Sequence, residues 1–220
     1  MSEFTKGDFL TSQVSPRRAT EVLIVLTIMV IAMGGMIRIY DAGESCPDWP
    51  TCFGTLGFDI SEEEQGEWWE ENPDEADSRG SGHRYTSFQI FTEWFHRLLA
   101  GALVGPLVIV NWFLVRREIW TSPRVQGVSS LTFALILWQG AIGWLTVKFD
   151  NENWSVAIHL GSALAFMISL IWLWIEIRRD EGDLPNWINF DPLVGLKWKK
   201  WIGLLSLSTL ITLFSGVYVC

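Results

Sequence analysis

Five apolar runs punctuate the chain, at about residues 20 to 40, 88 to 115, 127 to 147, 154 to 177 and 201 to 219. At about 1.5 Å of rise per residue, each is long enough to cross a hydrocarbon core of about 30 Å as a helix. Only helices and closed barrels satisfy their backbone polar groups in lipid, and runs of this length without period-two alternation read as helices. The pattern predicts an all-α, polytopic membrane helix bundle. A four-helix unit occupies 20–177, with a polar connection over 41–87, and a fifth transmembrane helix occupies 201–220. Residues 1–19 and 178–200 are polar flanking segments.

Composition agrees: 49% of residues are hydrophobic, too many in runs too long for a soluble domain. The net charge of −9 is not spread evenly. Thirteen Asp and Glu fall between Asp41 and Ser87 against Arg79 and Arg84, so the rest of the chain carries +2. Basic residues gather before the first run (Lys6, Arg17, Arg18), between the second and third (Arg116, Arg117, Arg124), and between the fourth and fifth (Arg178, Arg179, Lys197, Lys199, Lys200). The positive-inside rule then places the N-terminal segment 1–19 and the loop 178–200 in the cytoplasm and the acidic loop 41–87 outside a prokaryotic cell membrane. No cleavable leader is expected, because the first apolar run is too long for a signal-peptide core. Membrane lipid is the surrounding partner, and no nucleic acid is expected.

Candidate chemistry begins at Glu93-Trp94-Phe95-His96-Arg97, inside the second run. A charge at mid-membrane costs about 2.5 to 3.5 kcal/mol on insertion scales, so each ionisable residue there is a functional candidate unless a partner explains it. Helical spacing brings Glu93, His96 and Arg97 to one face, where Glu93 and Arg97 neutralise each other at i,i+4 and leave His96 free. The fourth run carries His159 about 7 to 8 Å below its start, and His96 lies about 12 Å below its own, on the same side. Gly34-Gly35 in the first run and Gly140 and Gly143 in the third open space for a helix or a flat ligand, and Gln139 is a hydrogen-bonding group in hydrocarbon. Arg38, at the outer boundary, suits an anionic group such as a propionate, or lipid phosphate.

Outside the membrane, Cys46-Pro47-Asp48-Trp49-Pro50-Thr51-Cys52 places two cysteines within reach of each other across a proline-bent loop. A reversible thiol pair and a static staple both fit. Metal binding there lacks further ligands, His83 being remote in sequence, and neither His83 nor Cys220 has a readable role. Ser61 to Ser78, rich in glutamate, reads as a solvated loop whose Trp68 and Trp69 touch the membrane interface.

Two neutral imidazoles at one depth on different helices suit axial ligation of a single haem iron. A di-iron carboxylate site would need a second Glu-x-x-His and two more carboxylates, which the other runs lack.

Taken together and in order, Gly34-Gly35-x-x-Arg38, the Cys46 to Cys52 loop, Glu93-Trp94-Phe95-His96-Arg97, Gln139 to Val147 and the His159-Leu160 helix resemble heme A synthase over about residues 20 to 175. The resemblance is to the N-terminal four-helix half of that family, with one further helix. It implies oxidation of the C8 methyl of heme O to the formyl of heme A for a terminal oxidase. His96 and His159 would then be axial ligands, Glu93 the catalytic carboxylate, and Cys46 with Cys52 an extracytoplasmic disulfide. Arg38, Arg97, Gln139, Gly35 and Gly143 would contact the cofactor. Implied partners are heme O, the heme O synthase that supplies it, and an unidentified electron acceptor. Larger family members repeat the unit and hold haem b in the second half. Here Ser215-Gly216-Val217-Tyr218 stands where Gly34-Gly35 stands in the first helix, so the chain is read as lacking a second repeat that a second copy or another subunit supplies. The acidic loop is also longer than the family usually carries. The alternatives are a bis-histidine membrane cytochrome that passes electrons and a non-catalytic haem-handling assembly partner.

Overall fold

A computed structural model describes residues 15–119, 121–188 and 192–217. Lys6, Tyr218, Cys220 and residues 1–14 lie outside the described residues. Among the described residues the α-helical elements follow in order: α1 (Pro16–Ile39), α2 (Glu62–Glu71), α3 (Ser87–Arg117), α4 (Pro123–Lys148), α5 (Asn153–Asp180) and α6 (Pro192–Val217). No β-strand occurs among the described residues, so the all-α, polytopic reading holds.

Start signals are local. Ser15 and Ser122 accept the backbone N–H of Arg18 and Val125, and Pro16 and Pro123 sit at first-turn positions where no donor is missed. Thr86 opens α3 with a capping box to Gln89.

Four helices, α1, α3, α4 and α5, are long and apolar enough to cross a membrane among the described residues. They form a closed ring, α1 on α3, α3 on α4, α4 on α5 and α5 back on α1, while α6 rests against α5. The bundle is inverted relative to a soluble protein. Val25, Ile28, Leu137, Trp138 and Ile168 face outward, whereas Thr20, Thr27, Asn111, Ser129, Thr132 and Ser169 are buried between helices. Lipid is as apolar as leucine, so small and hydrogen-bonding residues are what hold the interior together. An apolar cluster still forms where α1, α3 and α5 meet, around Leu23, Val104, Val108, Phe166 and Leu170.

Helix α3 is not uniform: Leu99–Val104 is π-helical, and the Gly105 N–H reaches back to the Ala100 carbonyl. Pro106 offers no N–H, and its ring would meet the carbonyl four residues back, so the helix widens ahead of it.

The acidic stretch departs from the sequence expectation. Ser61 to Ser78 is not merely a solvated loop: Ser61 and Glu64 form a capping box for α2, and three glutamates in its first turn complement the positive end of the helix. Trp69 lies buried in a cluster with Cys46, Cys52, Phe53, Ile60, Tyr85 and Ile90, with Trp68 and Trp94 against it. Neither tryptophan of the pair stands clear of the fold. Buried Gln65 pairs with both backbone groups of Tyr85, accepting its N–H at 2.8 Å and donating to its carbonyl at 3.0 Å. Residues 41–86 thus fold into a cap on one end of the bundle. The 178–200 connection is also shorter than expected, since α5 runs to Asp180 and α6 begins at Pro192, taking in Lys199 and Lys200. Lysine is a good helix former, and proline is favoured at the first position.

Candidate functional site

His96 lies on α3 and His159 on α5. The His96 Nδ1 is 3.1 Å from the Val30 carbonyl of α1. A carbonyl only accepts, so Nδ1 carries the proton and Nε2 keeps its lone pair. Gly34 lies beside this ring, where a Cβ would stand 3.4 Å from the His96 Cε1, an ordinary contact. His159 is held differently. The Gln139 Nε2 of α4 lies 3.2 Å from its Nδ1 and 3.2 Å from its carbonyl, and Ser162 donates to the same carbonyl at 2.9 Å while also bonding the Gln139 Oε1. A Cβ on Gly143 would come within 3.0 Å of the His159 Cε1. Each ring therefore lies against a glycine of a neighbouring helix.

Glu93 is buried, and both its oxygens are occupied. Oε1 pairs with Arg97, and Oε2 accepts the Cys46 N–H at 2.8 Å and the Ser45 hydroxyl at 3.0 Å. Arg97 continues to the Asp48 carbonyl at 3.0 Å. The pair that helical spacing predicts does form, and it clamps the cysteine loop onto α3. Within that loop Cys46 and Cys52 are joined by a disulfide, and Asp48 binds the Thr51 hydroxyl and the Gly54 N–H. A cleft of about 200 Å³ opens beside it, lined by Trp49, Leu56, Trp94, Arg97, Leu98 and Gly101.

The cap has its own ionic lattice. Glu44, buried, accepts the Ser78 hydroxyl at 2.7 Å and lies 4.0 Å from Arg79, which also pairs with Asp41 and approaches His83. Burial raises the Glu44 carboxyl above its ordinary value, against the opposing pull of the Ser78 hydroxyl. Tyr85, bonded to Asp77, is likewise raised, first by burial and then by that bond, so it stays protonated.

Of the residues expected at the site, Gln139 and Gly143 come together with His159. Arg38 bonds the Asn153 Oδ1 at 2.9 Å, joining the C-terminal end of α1 to the N-terminal end of α5. Arg97 turns to the cysteine loop, and Gly35 is exposed with no neighbour within 4 Å. Gly34, Ser45, Ser162 and the Val30 carbonyl complete the arrangement. Ser162 was detectable as a hydroxyl three residues after His159, but a backbone acceptor such as Val30 leaves no trace in sequence. Among the described residues no three His, Cys, Asp or Glu side chains converge to hold a metal ion.

The model of the COX15-CtaA family, described as cytochrome oxidase assembly protein, matches residues 17–220. The chain is 32% identical over 174 residues to a heme A synthase of Shewanella oneidensis, covering 78% of this chain and 49% of that protein. It is 30% identical over 226 aligned residues to a heme A synthase of Rhodopseudomonas palustris, covering 94% and 59%. A heme A synthase-mitochondrial ferredoxin fusion protein of Schizosaccharomyces pombe is 26% identical over 167 residues, covering 67% and 26%. The chain spans about half the length of the first curated relatives it matches. No solved structure matches.

Proposed function

The chain belongs to the COX15-CtaA family of cytochrome oxidase assembly proteins, and from that premise we propose that it carries out heme A synthase chemistry, oxidising the C8 methyl of heme O to the formyl of heme A. What supports this reading most is the pair of imidazoles on α3 and α5, each against a glycine of a neighbouring helix, with the His96 Nε2 lone pair left available by the Val30 carbonyl. Two imidazole nitrogen donors suit the axial positions of a haem iron, and the glycines beside each ring admit close approach of flat groups.

On this reading His96 and His159 hold the substrate's iron. Bound, the macrocycle supplies the reacting methyl and the iron's redox chemistry. Glu93, fixed by Ser45, Cys46 and Arg97, is the carboxylate at the macrocycle rim and takes up a proton as the methyl is oxidised. Arg38, at the outer end of α1, pairs with a propionate, Gln139 and Gly143 act through His159, and Gly35 leaves its flank of α1 open. Arg97 acts through Glu93. Electrons pass to an acceptor, four for each methyl taken to a formyl, and water supplies the formyl oxygen. The cap and its disulfide face the extracytoplasmic side, with Arg17 and Arg18 in the cytoplasm.

Co-expression with a heme O synthase, purification in detergent and extraction of the bound pigment test the proposal. Heme A or its hydroxylated intermediate is expected, and His96→Ala with His159→Ala should abolish it. Protoheme alone, with reversible redox behaviour, would instead identify an electron-carrying cytochrome. Glu93→Gln should stop conversion while haem stays bound, and conversion at the wild-type rate would refute that assignment.

A further inference from the structure

The cleft of about 200 Å³ between the cysteine loop and α3 is separate from the histidines. Trp49 and Leu56 of the loop wall it on one side, Trp94, Leu98 and Gly101 of α3 on the other, with Arg97 between. At about 100° per residue, Trp94 and Leu98 point about 160° away from His96, which turns to α1. Gly101 belongs to the π-helical stretch Leu99–Val104, and such stretches are rare and frequent at functional sites. A Cβ on Gly101 would stand 3.5 Å from the Trp49 Cζ2, so the loop tryptophan lies directly over the helix there. Counting back from Arg116, about 20 residues cross a hydrocarbon core of about 30 Å, which ends near His96. Leu98 and Gly101 therefore sit just inside the hydrocarbon at the end that the cap covers. Trp49, Leu56 and Leu98 are exposed, so the cleft opens sideways to lipid.

An apolar cavity of about 150 Å³ takes a benzene-sized ring, so this cleft has room for one substituted six-membered ring and none for a macrocycle. Trp49 and Trp94 suit a flat ring between them. A guanidinium has five N–H groups, and among the described residues Glu93 Oε1 and the Asp48 carbonyl take two of those on Arg97. The others can donate to a carbonyl oxygen on such a ring, whereas a phospholipid chain would leave them unmet. A flat, lipid-soluble ring that carries carbonyl oxygens is a quinone. We propose that this cleft seats the head of a membrane quinone, which is the electron acceptor of the oxidation. The acceptor role rests on the heme A synthase reading. The methyl gives up four electrons and four protons while water supplies the formyl oxygen. Two quinones in succession take up both and return to lipid as two hydroquinones. Arg97 joins the seat to Glu93, so the groups that receive protons and electrons stand side by side.

Photolabelling of the full-length protein in detergent, with an azidoquinone bearing a short alkyl tail, tests the seat. Label should map to residues 46–56 and 94–102 and be displaced by decylbenzoquinone but not by phospholipid. Ala102→Phe, whose added ring fills the cleft from α3, should weaken labelling at least about tenfold. Its haem content should match wild type, since the cleft lies on the face of α3 away from His96. Trp49→Ala, which adds no bulk to the helix, should weaken labelling several-fold. With heme O supplied under argon, decylbenzoquinone as sole oxidant should yield two hydroquinones for each heme A. Label spread beyond the cleft, displacement by phospholipid, or labelling of Ala102→Phe within about twofold of wild type would overturn the seat. Heme A formed under argon without quinone would overturn the acceptor role. Label confined to the cleft with no heme O conversion by any oxidant would support the seat and sink the synthase reading instead.

Discussion

Glu93→Gln is the substitution whose consequence can be worked furthest. The side chain keeps its shape but loses the charge that accepts the Cys46 N–H, the Ser45 hydroxyl and the Arg97 guanidinium together. Removing one partner of a buried ion pair costs about 3 to 5 kcal/mol. Arg97 retains the Asp48 carbonyl and is 16% exposed, so part of its charge remains solvated and the loss falls to about 2 to 3 kcal/mol. That loss lands on the docking of the cysteine loop. Cys46 and Cys52 are 1% and 0% exposed, so a reductant reaches the disulfide only when the loop lifts. The rate of reduction by a soluble phosphine, followed by thiol labelling, reads that opening equilibrium directly. At 1.4 kcal/mol per factor of ten, Glu93→Gln should accelerate reduction by about 30- to 150-fold. Arg97→Gln should accelerate it too, and the double variant should add little to either single one, because the two residues share one interaction. A Glu93→Gln rate within about twofold of wild type, or rates that simply multiply in the double variant, would refute the clamp.

Three further outcomes follow from the same geometry. Gly143→Ala places a methyl 3.0 Å from the His159 ring, so the ring must shift by about 0.5 Å or more to reach ordinary contact. Haem occupancy should fall several-fold further than in Gly34→Ala, while Gly35→Ala leaves it unchanged, and melting should not drop because alanine favours the helix by about 0.5 to 1 kcal/mol. Glu44, raised by burial, contributes stability that is complete below the ordinary glutamate value of about 4.3 and is lost as pH rises through its higher folded value. Glu44→Gln should remove that decline, so an opening rate whose pH slope matches wild type would contradict it. Gln65→Leu strips both backbone partners from Tyr85 and should destabilise the cap by about 2 to 4 kcal/mol, seen as earlier loss of the tryptophan fluorescence signal around Trp69 on heating. An unchanged melting midpoint would argue against that buried amide pairing.

The membrane class and the helices were legible from the runs alone, because spanning a bilayer imposes a length and an apolarity that nothing else in a chain needs. The pairing of Glu93 with Arg97 was legible too, since helical spacing is fixed at 3.6 residues per turn. The capping box at Ser61 and Glu64 was present in the sequence, but a glutamate-rich composition masked it, and only the packing of Trp69 against the disulfide explains why that stretch is ordered. The partners of the ion pair were beyond reach: which backbone N–H lies over Glu93 depends on how a seven-residue loop folds back across α3.

Sequence by itself thus determined that the chain is built of membrane-spanning helices, where the ionisable groups sit along them and which residues share a helical face. All of these follow from periodicities within one segment. Tertiary structure alone decided that Gly34 and not Gly35 faces His96, that a carbonyl holds one imidazole and an amide the other, and that Arg97 serves the loop. Each of these turns on the rotation of one helix about its axis relative to its neighbours. That rotation is set by the summed packing of the bundle, and no local stretch of chain encodes it.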